Sequence, residues 1–294
     1  MCSRYNLTSP PEAVRAYFGY GDTPNFPARY NIAPTQAVAV VARDKEGMRR
    51  FRLMRWGLLP AFVKDPKQFP TLINARSEEV LEKPSFRNAM RYRRCLVPAD
   101  GFYEWTGEKG KRRPFLLRPR EKRLIAFAGL YERWRDAEGG EIDTVVILTC
   151  AANGTVTPLH DRMPVVLAPE QFEAWLDVKD TSAEAAVGLL QPAPDDLLEA
   201  IEMNPKINDS RKDEPGILEP LQKEAAAVDD VPKAQRRRAG WRCRHGLCGL
   251  PSGARCRSRA GPWRQARRSD ASPERLHPCL LHRESRPRAP HCPR

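Results

Sequence analysis

Short runs in which apolar and polar residues alternate, broken by turn residues, dominate the chain from residue 37 to residue 150. AVAVVAR (37–43) and RRFRLMRW (49–56) read as two strands, with Asp44 to Gly47 as the hairpin turn between them. TLINAR (71–76), RCLVPA, GFYEW, RPFLLR, LIAFAGLY and DTVVILTC carry the same period-two or short apolar pattern. Helical spacing predicts a helix over 9–19, where prolines occupy the opening positions and Gly19 closes the segment, and others over 169–176, 182–190 and 195–201. The polar segment 77–94 predicts no element. Many short strands with few helices, mostly near the ends, predict an α+β fold: a curved, largely antiparallel, barrel-like sheet with peripheral helices.

Charge divides the chain. The whole sequence of 294 residues carries a formal +13, yet Lys233 to Arg294 alone hold 17 basic and 3 acidic residues, leaving 33 and 34 in residues 1–232. The basic character therefore belongs to the tail, and the body must bind any nucleic acid through a local arginine cluster rather than bulk charge. We expect one domain over 1–222, followed by a linker and a basic Arg/Pro/Cys-rich tail over 223–294 with too little apolar periodicity to order itself. The composition of that tail also suits GC-rich DNA read out of frame. Cys243, Cys248 and Cys256 with His245 do not form paired C-x-x-C spacing, so no metal and no other cofactor is expected. With no apolar run of about 18 residues and no signal-peptide pattern, the expectation is a cytoplasmic protein with reduced thiols and no membrane segment.

Side chains suited to chemistry fall at four places in the body. Cys2 becomes the first residue if Met1 is removed. Its amine and thiol then form a 1,2-aminothiol, which condenses with an aldehyde to an imine and closes to a thiazolidine; an accidental cysteine at an untethered end is the bland alternative. His160 is the one body histidine, suited either to proton transfer or to a structural hydrogen bond. In GFYEW, strand alternation puts Phe102 and Glu104 on one face and Tyr103 and Trp105 on the other, so Glu104 sits at a solvated edge or in a pocket that raises its pKa. Asn74, Arg76 and Glu78 lie where a strand gives way to a polar turn, a place for an amide donor and a phosphate-binding guanidinium, or for a strand-end cap.

The order MCSRY, RYNIAPTQ, RWGLLP, LINARSE, RCLVPADGFYEW, LHDRMPVVL and KINDSRKDEPGILEPL resembles the SOS response-associated peptidase (SRAP) family of abasic-site-processing proteins, over about Met1 to Leu221. The resemblance implies an SRAP-like fold that senses abasic sites in single-stranded DNA and crosslinks to them through Cys2. Asn74 would hold the N-terminus or the opened sugar, Glu104 would shuttle protons, and His160 would assist ring opening and crosslink reversal. Arg4, Arg76 and Arg162 would bind phosphates, while Pro34, Trp56 and Phe62 would contact or wedge bases. It also implies a lyase side activity by β-elimination and a self-processing, peptidase-like removal of residues before Cys2. Ser3 stands where glycine is commonest in the family, and Phe62 where tryptophan is usual; altered affinity rather than lost chemistry is expected from both. We expect a monomer that associates with the nucleoid when bound to DNA. Two other classes compete: a cysteine hydrolase with Cys2 as nucleophile and His160 as base, acting on peptide bonds, and a non-covalent nucleic-acid-binding module driven by the basic tail.

Overall fold

The computed structural model describes residues 2–108 and 110–221. These all fall in the first of two units into which the chain divides, Met1–Asp229. The readings made for the tail, including its lack of order and of a metal site, lie outside the described residues.

The strands, in chain order, are β1 (Tyr5–Leu7), β2 (Arg29–Ile32), β3 (Ala37–Arg43), β4 (Arg49–Trp56), β5 (Asn74–Arg76), β6 (Arg94–Ala99) and β7 (Gly101–Thr106). They continue as β8 (Arg113–Pro119), β9 (Ile125–Arg135), β10 (Glu141–Ala151), β11 (Arg162–Pro164), β12 (Val166–Leu167) and β13 (Leu198–Glu202). The helices are α1 (Pro11–Phe18), α2 (Pro84–Tyr92), α3 (Phe172–Leu176) and α4 (Ala183–Val187). Pairing runs β10-β4-β3-β6-β9 and returns from β9 to β10, which closes a five-stranded barrel; only the β10–β4 contact in that ring is parallel. β5 and β11 extend the barrel along the C-terminal half of β10, and β12 lies on β9. A second, antiparallel sheet has the order β13-β8-β7-β1-β2. The fold is thus the β-rich α+β architecture that the alternation predicts.

The barrel forms because its strands are apolar nearly throughout. β6 is buried at every position, and the middles of β3, β9 and β10 are equally dry. Tyr5, Trp56, Phe102 and Phe127 meet edge to face, with centroids 5.3 to 6.0 Å apart, and tie β1 and β7 of the second sheet to the barrel. Gly101 is needed where β7 crosses β8: a Cβ there would lie 2.7 Å from the Leu117 carbonyl oxygen.

Three expectations change. Segment 195–201 is read as helical, but 198–202 forms β13, paired with β8 at five successive positions, because the sheet edge of β8 supplies main-chain partners that outweigh helical propensity. Segment 77–94, read as without an element, holds a 3-10 turn at Ser77–Glu79 and then α2, which buries Phe86, Ala89 and Met90 at helical spacing. Of 71–76 only the last three residues form a strand; Leu72 makes an isolated bridge to Leu58. Among the described residues no helix is long and apolar enough to cross a membrane.

Candidate functional site

Antiparallel pairing of β1 with β7 matches Tyr5 to Phe102, and the Tyr103 N–H donates to the Arg4 carbonyl at 2.9 Å. Continued toward the N-terminus, that register brings residues 2 to 4 beside residues 103 to 105. Parallel pairing of β5 with β10 matches Asn74 to Ile147 and Arg76 to Thr149, while β11 matches Arg162 to Ala151. The end of β10 therefore carries Arg76 on one side and Arg162 on the other, with His160 two residues before β11 proper.

Cys2 is buried, and the Asn74 side-chain amide donates to its main-chain carbonyl at 2.8 Å. The Asn74 Oδ1 acceptor is itself buried and has no hydrogen-bond partner among the described residues. Burial, reinforced by the charge of Glu104, holds the Cys2 thiol well above its ordinary pKa. Glu104 is 3% exposed, and burial pushes its carboxyl up to about 7, with Asp161 adding to the rise. Of the two placements the alternation allows, the structure has the pocket. Phe102 joins the main core with Cys2, whereas Tyr103 packs with Trp105 in a separate cluster.

His160 is held by its ring. The Arg162 main-chain N–H donates to Nδ1 at 2.9 Å, and the same nitrogen lies 2.7 Å from the Asp161 carboxylate. Burial lowers the His160 pKa, which favours the neutral ring.

The arginines differ in how far they are committed. Arg162 donates two bonds to Glu78, at 2.6 and 2.8 Å, and one to the Thr149 carbonyl at 2.6 Å; the pair holds the Glu78 carboxyl down to about 2. Arg4 donates to Asn31 Oδ1 at 2.8 Å and lies over the Trp105 ring, 5.7 Å from its centroid. Arg76 is exposed, with a 3.4 Å contact to Glu79.

The three residues expected at bases fare differently. Phe62 is 58% exposed and meets Phe69 edge to face. Pro34 is half-buried beside Thr35, whose left-handed φ of 73° is stabilised by its N–H donating to the Trp56 carbonyl at 2.8 Å. Trp56 offers no surface. It is 0% exposed, donates from Nε1 to the Ile73 carbonyl at 2.9 Å and packs against Tyr5, so the expected base contact gives way to a role in the wall beneath the site.

Two contributors were not singled out from the sequence. Buried Asn31 anchors Arg4 and donates from Nδ2 to the carbonyls of Asp209 and Lys212, at 3.1 and 2.9 Å. Asp213 accepts from the Tyr30 and Asn31 main chain. Their signal was present in RYNIAPTQ and KINDSRKDEP, whose polar residues are too many to belong to bare strands. Among the described residues no group of three or more His, Cys, Asp or Glu side chains is arranged to hold a metal.

Comparison with known proteins gives the same architecture. The abasic site processing protein YoqW of Bacillus subtilis is 36% identical over 223 residues, covering 74% of this chain and 99% of its own length. The abasic site processing protein HMCES of Gallus gallus is 32% identical over 247 residues, 72% of each chain. A crystal structure of a Bordetella bronchiseptica protein superposes with a TM-score of 0.61 at 29% identity, covering 69% of this chain and all of that one. One from Bacteroides thetaiotaomicron gives 0.67 at 24% identity, which speaks to the fold alone. The profile of the SOS response associated peptidase (SRAP) family matches residues 1–210, and the chain belongs to that family.

Proposed function

We propose that this protein processes abasic sites in single-stranded DNA by covalent capture through Cys2, after Met1 has been removed. The observation that carries the reading is a cysteine at position 2 whose main chain is held by Asn74 at 2.8 Å, beside a buried carboxyl with a pKa of about 7. The names of the abasic site processing relatives support abasic sites as the substrate.

The chemistry follows from those protonation states. The Cys2 thiol rests protonated, so the amine is the first nucleophile and adds to the aldehyde of the ring-opened sugar. Glu104 in its acid form gives a proton to the hydroxyl of the carbinolamine, which leaves as water and yields an iminium. The Glu104 carboxylate then takes the thiol proton as sulfur bonds to the iminium carbon, closing the thiazolidine and regenerating the acid. The net change is loss of one water. A carboxyl titrating near 7 suits both transfers.

The neutral His160 donates from Nε2 toward the sugar oxygen during ring opening, and the spare Asn74 Oδ1 accepts from the Cys2 amine or an opened-sugar hydroxyl. Arg4, Arg76 and Arg162 take phosphates, Arg162 after release from Glu78, and Phe62 and Pro34 meet bases. The iminium also acidifies the adjacent sugar carbon; loss of that proton with expulsion of the 3′ phosphate gives lyase cleavage. In self-processing, water adds across the Met1–Cys2 peptide bond, releasing methionine as the free acid and leaving the Cys2 amine. The activity resides in residues 1–222 and needs one copy of the chain. A cysteine hydrolase would require a thiolate beside an imidazolium, and burial drives both groups the other way.

Intact mass of the full chain before and after incubation with a single-stranded oligonucleotide bearing one abasic site tests this. The expected result is a protein lacking Met1 that gains the oligonucleotide mass less one water. Loss of Met1 with no gain would refute covalent capture.

A further inference from the structure

The opposite end of the barrel holds a second basic site. β10 runs from Asp143 at that end to Thr149 beside Arg76, and six residues of strand span about 20 Å. Around Asp143 lies a cavity of about 580 Å³, within the size range of small-molecule sites. Seven cationic side chains line it against four aspartates.

Three of those aspartates are already engaged. Asp44 accepts from Arg50 and from the Met48 main chain, Asp143 from Arg133 at 2.7 Å, and Asp177 from the Lys179 and Asp180 main chain. Arg52, in the lining, lies over the Tyr131 ring at 5.9 Å and reaches its nearest paired carboxylate, Asp143, at only 4.0 Å. Arg43 and Arg93 are anchored by their terminal nitrogens to Glu173 and Glu132, and each has a buried Nε without a hydrogen-bond partner among the described residues. At the rim, Lys45 in the β3–β4 turn and Lys179 after α3 form no ion pair among the described residues.

The wall beneath Lys179 is built firmly. Arg94 is buried and donates to the main-chain carbonyls of Trp175, Asp177 and Thr181 at 2.7, 2.6 and 2.8 Å, which fixes the turn after α3. Tyr92, 60% exposed, adds a planar ring to the lining. A held turn, a surplus of cations on several elements and an open aromatic face suit a phosphate with a planar ring attached.

We infer that this cavity binds a nucleotide, free or as part of a single strand, through Arg52, Lys45 and Lys179 on its phosphate and Tyr92 on its base. The site is separate from Cys2 and does not depend on the capture reaction.

Isothermal titration of the full chain with adenosine 5′-diphosphate, and separately with an undamaged oligothymidylate, tests the inference. Arg52→Ala is compared with a Lys45→Glu, Lys179→Glu double variant, whose exposed rim positions leave folding intact. At least one probe is expected to bind saturably and to weaken tenfold or more in both variants, consistent with loss of charge-assisted contacts. Arg52-dependent diphosphate binding assigns a free nucleotide; dependence seen with the oligothymidylate alone assigns a strand. The inference is overturned if neither probe binds, or if the double variant binds both within twofold of wild type.

Discussion

Glu104→Gln separates the cost of burying a carboxyl from its use. Moving that carboxyl from an ordinary value near 4.5 to about 7 makes its ionised form about 3 kcal/mol less favourable in the folded protein. The folded state holds this proton more tightly than the unfolded chain does. Stability from the group is therefore complete below its unfolded value and is lost as pH rises through 7. With those two values the loss is about 1 kcal/mol at pH 5 and about 3 kcal/mol at pH 8.5. Glutamine has the same shape and no titration, so the variant should gain about 2.5 kcal/mol on wild type across that interval, or about 5–10 °C in melting temperature for a domain of this size. Thermal melts of both proteins at pH 5, 6, 7 and 8.5 measure the difference, in which the other titrating groups cancel. A difference that stays flat from pH 5 to 8.5 would show that Glu104 does not titrate near neutrality and would remove the basis for its two proton transfers. The capture rate of the variant should fall at least a hundredfold and lose its pH dependence around 7.

Other outcomes follow from the same geometry. Cys2→Ala should give no adduct with abasic DNA, while Cys2→Ser should keep some imine-based strand cleavage but form no heat-stable product; equal adduct yields from serine and wild type on a denaturing gel would refute the thiazolidine. Asn74→Ala removes the 2.8 Å bond to the Cys2 carbonyl and should slow capture about ten- to hundredfold in single-turnover assays, with little change in affinity for undamaged DNA. Phe62→Ala should weaken single-strand binding by about 1–3 kcal/mol without moving the melting temperature. Trp56→Ala should do the reverse, losing about 3–5 kcal/mol of stability from the core, and fluorescence titration beside a thermal melt distinguishes the two.

The barrel strands were legible because a strand closed into a barrel must alternate or stay apolar, and AVAVVAR and DTVVILTC do so over their whole length. α2 was equally legible in principle: Phe86, Ala89 and Met90 share one helical face, but Arg87 and Asn88 between them mask the stripe. β13 was not. DDLLEAI has good helix formers, and only the unpaired edge of β8, some eighty residues earlier in the chain, turns it into a strand.

At the candidate site the residue types were readable and their states were not. MCSRY, LINARSE, GFYEW and LHDRM pick out Cys2, Asn74, Glu104 and His160 as the side chains with suitable chemistry, since functional group and order along the chain are properties of the sequence alone. Whether Glu104 meets solvent or titrates near 7, whether Arg162 is free or tied to Glu78, and whether Trp56 faces DNA or the core were decided by tertiary structure. Each depends on how much low-dielectric protein and which charges surround a group, and those neighbours come from segments tens of residues away. Local pattern names the reactive atoms; packing between distant strands sets where their protons rest.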